Sequence, residues 1–131
     1  MSGKFTVSRP AVAGAVQALV NNCHGLAVSA GWWHDLHTGE KLERNVGEML
    51  CLTHSEISEA MEAHRKNAMD DHLPERNGME VELADALIRI CDIAGGLGLD
   101  LAGAVADKLA YNATRADHKR ENRLAAGGKK Y

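Results

Sequence analysis

Acidic side chains recur at a spacing of three residues in two segments that are predicted to be helical. Glu56 and Glu59 form the first pair, and Glu82 and Asp85 form the second. Carboxylates three apart share one helix face and repel, unless a basic residue four positions later relieves them. Only Asp85 has such a residue, Arg89, because alanine stands at this position for the other three. These pairs predict a site for Mg²⁺, with Mn²⁺ as a substitute, since both ions prefer oxygen ligands. The competing interpretation is two solvated helix faces.

A cationic set of side chains follows on a later segment. Lys108, Asn112 and Arg115 are spaced by four and then three residues, which places them on one helix face. Lysine and arginine bind phosphate oxygens by charge and by hydrogen bonds, and asparagine can fix an orientation. Such donors beside Mg²⁺-binding carboxylates are typical of phosphoryl chemistry. We therefore predict a substrate-binding role for this face.

Two adjacent tryptophans, Trp32 and Trp33, lie in a polar segment between the first two predicted helices. Neighbouring residues of a loop cannot both point into one core, so one indole is expected to pack in the core or in a subunit interface. The other is a candidate for stacking on a nucleotide base. Both residues are therefore candidate substrate-binding residues.

Other catalytic chemistries fit the sequence less well. A di-iron bundle needs Glu-x-x-His on two helices, and no acidic residue of this chain has a histidine three positions later. His34-Asp35 matches only the dipeptide of the HD phosphohydrolases, for which the chain is too short. No serine or cysteine stands in a pattern typical of an activated nucleophile. We therefore expect direct attack by water, with Glu56 or Glu59 as the general base.

The elements that must position these residues are helices. The chain of 131 residues contains only two prolines and is 45% hydrophobic and 25% charged, which is ordinary for one folded domain. Apolar periodicity and turn signals predict four helices, at about 10–30, 42–67, 78–97 and 101–123. We expect an all-α four-helix bundle over residues 1–126 and a flexible tail at 127–131.

The third predicted helix is apolar around most of its circumference. A stripe of five residues repeats along it at helical spacing: Leu83, Leu87, Ile90, Ala94 and Leu97. A narrow acidic line remains, and on so apolar a helix this line is expected to face an interior cleft. A helix buried on two sides needs more neighbours than one bundle of four helices provides. We therefore expect a homo-oligomer, a tetramer built as a dimer of dimers.

Charge and composition exclude other classes of protein. No apolar run approaches the roughly 20 residues that span a bilayer, so no membrane insertion is expected. The net charge of −3 argues against general nucleic-acid binding, although residues 115–131 carry six basic and two acidic side chains. That basic segment is either a phosphate-facing element or a solvated end. Three cysteines without CxxC spacing indicate reduced thiols. The first predicted helix is alanine-rich and unlike a signal peptide, and both features favour a location in the cytoplasm.

The ordered motifs resemble a known family. Glu56-Ile-Ser-Glu59, then Glu82-Leu-Ala-Asp85, then Lys108-x-x-x-Asn112-x-x-Arg115 are similar to the motifs of the MazG-like, all-α nucleoside triphosphate pyrophosphohydrolases. The resemblance covers residues 42–123. The basic end of the chain also resembles that of short phage-borne (MazZ-like) members, some of which act on dGTP.

The resemblance implies a function and an assembly. It implies hydrolysis of a nucleoside triphosphate to the monophosphate and pyrophosphate, with dGTP as the leading substrate and Mg²⁺ on the four carboxylates. It also implies a homo-oligomer whose active sites are completed by neighbouring subunits. The alternative is a non-catalytic helical interaction module whose basic tail binds nucleic acid or an acidic partner.

Overall fold

The fold is all-helical. The computed structural model describes residues 5–115 and 119–128 of the chain. Five helices lie within these ranges, and no strand does: α1 (Arg9–Ser29), α2 (Val46–Lys66), α3 (Gly78–Leu97), α4 (Leu101–Thr114) and α5 (Arg120–Leu124). The predicted all-α class is confirmed. None of the helices in the described ranges combines the length and the apolar character needed to cross a bilayer.

Two helix ends differ from their predicted positions. α2 begins at Val46 rather than near residue 42, because the Asn45 side chain accepts the Glu48 backbone N–H at 3.0 Å and caps the helix there. α4 ends at Thr114 instead of continuing to residue 123, and Arg115 already has extended backbone angles (φ −65°, ψ 139°). The Thr114 hydroxyl donates to the Tyr111 carbonyl at 2.8 Å, a local bond that competes with helix continuation. The predicted helical residues 116–118 lie outside the described ranges.

Local signals after the C-terminal end of α3 explain why this helix ends at its predicted residue. Gly98 adopts the left-handed conformation (φ 67°) that ends a helix, and Asp100 caps α4 through a 2.9 Å bond from the Gly103 N–H. Gly95 and Gly96 belong to the last turn of α3. Their lack of a side chain serves close packing of other elements against the helix.

The helices form two compact units. Leu19–Leu99 make one unit, which holds the second half of α1 and all of α2 and α3. Here α2 and α3 pack antiparallel, since Ala63 near the end of α2 meets Gly78 at the start of α3. The other unit contains the first ten residues of α1 with α4 and α5. Within it, the Arg9 guanidinium forms an ion pair with the Asp107 carboxylate.

Candidate metal centre

The packing of α2 against α3 brings three of the predicted carboxylates together. Glu56, Glu59 and Glu82 each offer one oxygen, and these oxygens all lie within 4.8 Å of one another. Glu56 and Glu59 share a face of α2 because they are three residues apart, and the antiparallel arrangement sets Glu82 of α3 opposite them. Among the described residues, this is the group of side chains with the spacing and chemistry to hold a metal ion.

The three carboxylates carry more negative charge than their surroundings neutralise. Burial, together with the neighbouring Glu56 and Glu59 carboxylates, raises the pKa of Glu82 to about 7. The cluster therefore keeps a proton at pH values where isolated carboxyls are ionised. A divalent cation would replace that proton, and an all-oxygen donor set is the one that Mg²⁺ and Mn²⁺ prefer. The residues present thus fit such an ion.

Arg89 holds the most buried member of the group. Its Nε donates to Glu56 Oε1 at 2.9 Å, and the Glu56 side chain is only 10% exposed. Burial alone would raise the pKa of Glu56, but the Arg89 hydrogen bond, a hydrogen bond from Glu82 and the guanidinium charge hold it below the usual value. Glu56 is therefore a fixed carboxylate with one oxygen already engaged.

Asp85, the fourth predicted ligand, lies beside the group rather than within it. Burial and then the charges of Glu56 and Asp70 raise its pKa, so Asp85 lies close enough to Glu56 to interact with it electrostatically. Asp70 itself accepts the backbone N–H groups of His72 and Leu73 at 2.9 and 2.7 Å and shapes the connection between α2 and α3. A ligand role for Asp85 stays a prediction.

Further along the acidic line of α3, Asp92 holds Trp33, which lies in the loop between α1 and α2. Its Oδ1 accepts the Trp33 indole N–H at 2.8 Å and lies 2.9 Å from His24 Nδ1. The His24 ring meets the indole edge-on at 5.3 Å between centroids. The acidic pattern of α3 includes Asp92, but no sequence signal points to His24 as its partner, because their contact joins residues 68 positions apart.

The two tryptophans take different positions. Trp33 is 2% exposed and packs with Met49 and Ile93, whereas Trp32 is 63% exposed. Arg44 lies 4.8 Å from the Trp33 ring centroid and donates to the Trp32 carbonyl at 2.9 Å. One indole of the pair thus packs and the other is exposed, and a stacking role for Trp32 stays a prediction.

The His34-Asp35 dipeptide belongs to a tight turn. Asp35 Oδ1 accepts the backbone N–H groups of His37 and Thr38, both at 2.8 Å, and His34 pairs with Lys41 across the turn. These contacts give the aspartate a local structural role.

The predicted phosphate-binding residues lie in the unit that contains α4. The Lys108 ammonium lies 4.8 Å from the Tyr111 ring centroid, and Arg115 follows the end of the helix. Within the described part of the chain, Asn112 Oδ1 is buried without a hydrogen-bond donor. Such an acceptor is costly unless a donor outside this chain reaches it.

No family model, curated protein or solved structure matches the chain.

Proposed function

We propose that this protein is a Mg²⁺-dependent nucleotide pyrophosphohydrolase, which converts a nucleoside or deoxynucleoside triphosphate to the monophosphate and pyrophosphate. The observation that carries the proposal is the convergence of Glu56, Glu59 and Glu82 from two helices to within 4.8 Å. The resemblance of the sequence motifs to the MazG-like enzymes supports it and suggests dGTP as the leading substrate.

The two carboxylates of α2 differ in what they can do. Glu56 is buried and bonded to Arg89, so its role is to hold charge in a fixed place. Glu59 is exposed within the same group and can take a proton from the attacking water. A divalent cation bound by the three glutamates would polarise the phosphoryl oxygens and make a nearby water more acidic. We therefore favour Glu59 over Glu56 as the general base.

The candidate substrate-binding residues of this proposal are those predicted from the sequence, and each is considered within its own unit. Lys108 and Arg115 would contact phosphate oxygens through charge-assisted hydrogen bonds. The buried Asn112 Oδ1, which lacks a donor among the described residues, would accept a hydrogen bond from a nucleoside hydroxyl or amine, or from a second subunit. Trp32 would stack on the base.

The proposal includes a four-helix bundle that assembles as a homo-oligomer, with a tetramer as the expected state. Apolar side chains of α3 that were expected to be buried are half exposed, among them Leu83 (49%) and Ile90 (41%). On α2, Ile57 and Met61 are more than half exposed. Rows of this kind on two packed helices are typical of surfaces that other subunits cover. Light scattering at micromolar concentration is expected to give a mass several times 14.1 kDa.

The test is a panel of nucleotides assayed for pyrophosphate and monophosphate, with and without Mg²⁺. We expect Mg²⁺-dependent release of both products in equal amounts, with dGTP among the best substrates. Glu62→Gln is the matched control for Glu59→Gln, because Glu62 lies on the same helix but bonds to Arg65 and Lys66 outside the group. The control is expected to keep wild-type activity.

Failure of this panel would favour the interaction module. A folded protein that releases no pyrophosphate from any nucleotide, with or without divalent cations, would contradict the enzymatic proposal. Binding of the basic segment to nucleic acid or to an acidic partner would then be the next measurement. Part of that segment, residues 116–118 and 129–131, lies outside the described ranges.

A further inference from the structure

Helices α1 and α3 approach each other closely in the unit formed by Leu19–Leu99. A Cβ atom placed on Gly95 of α3 would lie 2.6 Å from the His24 Cβ of α1, so the absence of a side chain permits the approach. One turn earlier on α3, Asp92 bonds to His24 at 2.9 Å. These two contacts fix where the helices meet.

Two cysteines flank this point. Cys23 precedes His24 on α1, and Cys91 lies one turn before Gly95 on α3, which places it on the same side of the helix. Cys91 is fully buried, whereas Cys23 is half-buried. Burial raises the pKa of the Cys91 thiol, and the adjacent Cys23 thiol raises it further by its charge and by a hydrogen bond. The crossing of the helices at Gly95 and His24, together with this interaction, places the two thiols next to each other.

We propose that Cys23 and Cys91 form a peroxide-responsive dithiol, which closes to an intrachain disulfide that ties α1 to α3. The Cys23 thiolate attacks one peroxide oxygen, the O–O bond breaks, and the departing hydroxide takes up a proton to leave as water. The Cys91 sulfur then attacks the Cys23 sulfur of the sulfenic acid and forms the S–S bond, and the departing hydroxide takes up the Cys91 thiol proton and leaves as a second water. Two thiols are oxidised by two electrons, and one peroxide is reduced to two waters.

The close crossing suits this bond. A disulfide needs Cα atoms about 4.4–6.8 Å apart, and helices that meet at a glycine can come that near. The bond would close a loop between residues 23 and 91, and long loops gain the most from closure. It would also fix the place where Asp92 anchors Trp33. None of the carboxylates of the metal centre takes part, so this inference stands independently of the proposed function.

The test uses the full chain with the exposed Cys51 replaced by serine, treated with hydrogen peroxide. We expect two thiols to disappear per chain, the intact mass to fall by two hydrogen atoms, and peptide mapping to show residues 23 and 91 joined. The melting temperature is expected to rise by roughly 10 °C, and a thiol reductant should reverse all of these changes.

The matched control is Cys23→Ser in the same background, which should keep one thiol and show no rise in melting temperature. Should that variant fail to fold, the peptide map of the Cys51→Ser protein still decides. Both thiols left unreacted, oxidation of Cys23 to the sulfinic acid without a cross-link, or bonds only between chains would each overturn the proposal.

Discussion

Replacement of Arg89 by methionine would leave the Glu56 carboxylate without its partner. The wild-type bond is 2.9 Å long, the Glu56 side chain is 10% exposed, and the Arg89 side chain is 41% exposed. Hydrogen bonds to charged groups contribute about 1.5–3 kcal/mol, and a fully buried pair that loses one member loses about 3–5 kcal/mol. Because the guanidinium is partly solvated, we expect the lower range to apply. Arg89→Met should therefore cost about 2 kcal/mol of the free energy of unfolding.

Urea denaturation in the presence of a chelator, at one fixed protein concentration, measures this cost. Arg65→Met is the matched control, because its ion pair with Glu62 is exposed on both sides (70% and 47%) and is expected to contribute less than about 1 kcal/mol. In a Glu56→Gln background the cost of Arg89→Met should shrink, since the buried charge is gone. An equal cost in both backgrounds, or a cost no larger than that of the control, would refute the reasoning.

Three further predictions concern packing, catalysis and pH. Gly96→Ala should lower the free energy of unfolding by about 1–3 kcal/mol, because the added Cβ would lie 2.1 Å from the buried Trp33 ring. The control Gly25→Ala has open space around the added Cβ and should raise the free energy of unfolding by about 0.5–1 kcal/mol in the same assay. Glu59→Gln should lower the rate of pyrophosphate release by at least about two orders of magnitude, and near-wild-type turnover would remove Glu59 from the site. Since the folded state raises the pKa of Glu82 to about 7 from an ordinary 4.5, the metal-free protein should lose stability as the pH rises between these values; thermal melts of Glu82→Gln in chelator should lack that loss.

The helical fold follows largely from local signals in the sequence. α3 has its predicted bounds, because glycine and aspartate signals mark its end and the start of α4. The start of α2 was predicted four residues too early, since the apolar Leu42 precedes the Asn45 cap and periodicity alone favoured including it. Boundaries set by one side-chain hydrogen bond are hard to read from apolar spacing.

The candidate site was only partly predictable. The spacing of Glu56 and Glu59 on one helix is a local property, and their meeting with Glu82 follows once the two helices pack antiparallel. The bond between Arg89 and Glu56 was not predicted, because it joins residues 33 positions apart. The same holds for Asp92, whose two partners come from α1 and the following loop. Contacts of this kind depend on helix crossing, which the sequence pattern does not encode residue by residue.

The most direct test of the candidate metal centre is the anomalous scattering of Mn²⁺ in crystals grown with a non-hydrolysable deoxynucleoside triphosphate analogue. We predict a peak within coordination distance of carboxylate oxygens from Glu56, Glu59 and Glu82, with the triphosphate of the analogue in contact with the same ion. Triphosphate bound elsewhere, or Mn²⁺ held by other residues while these three glutamates remain bare, would contradict the proposed site.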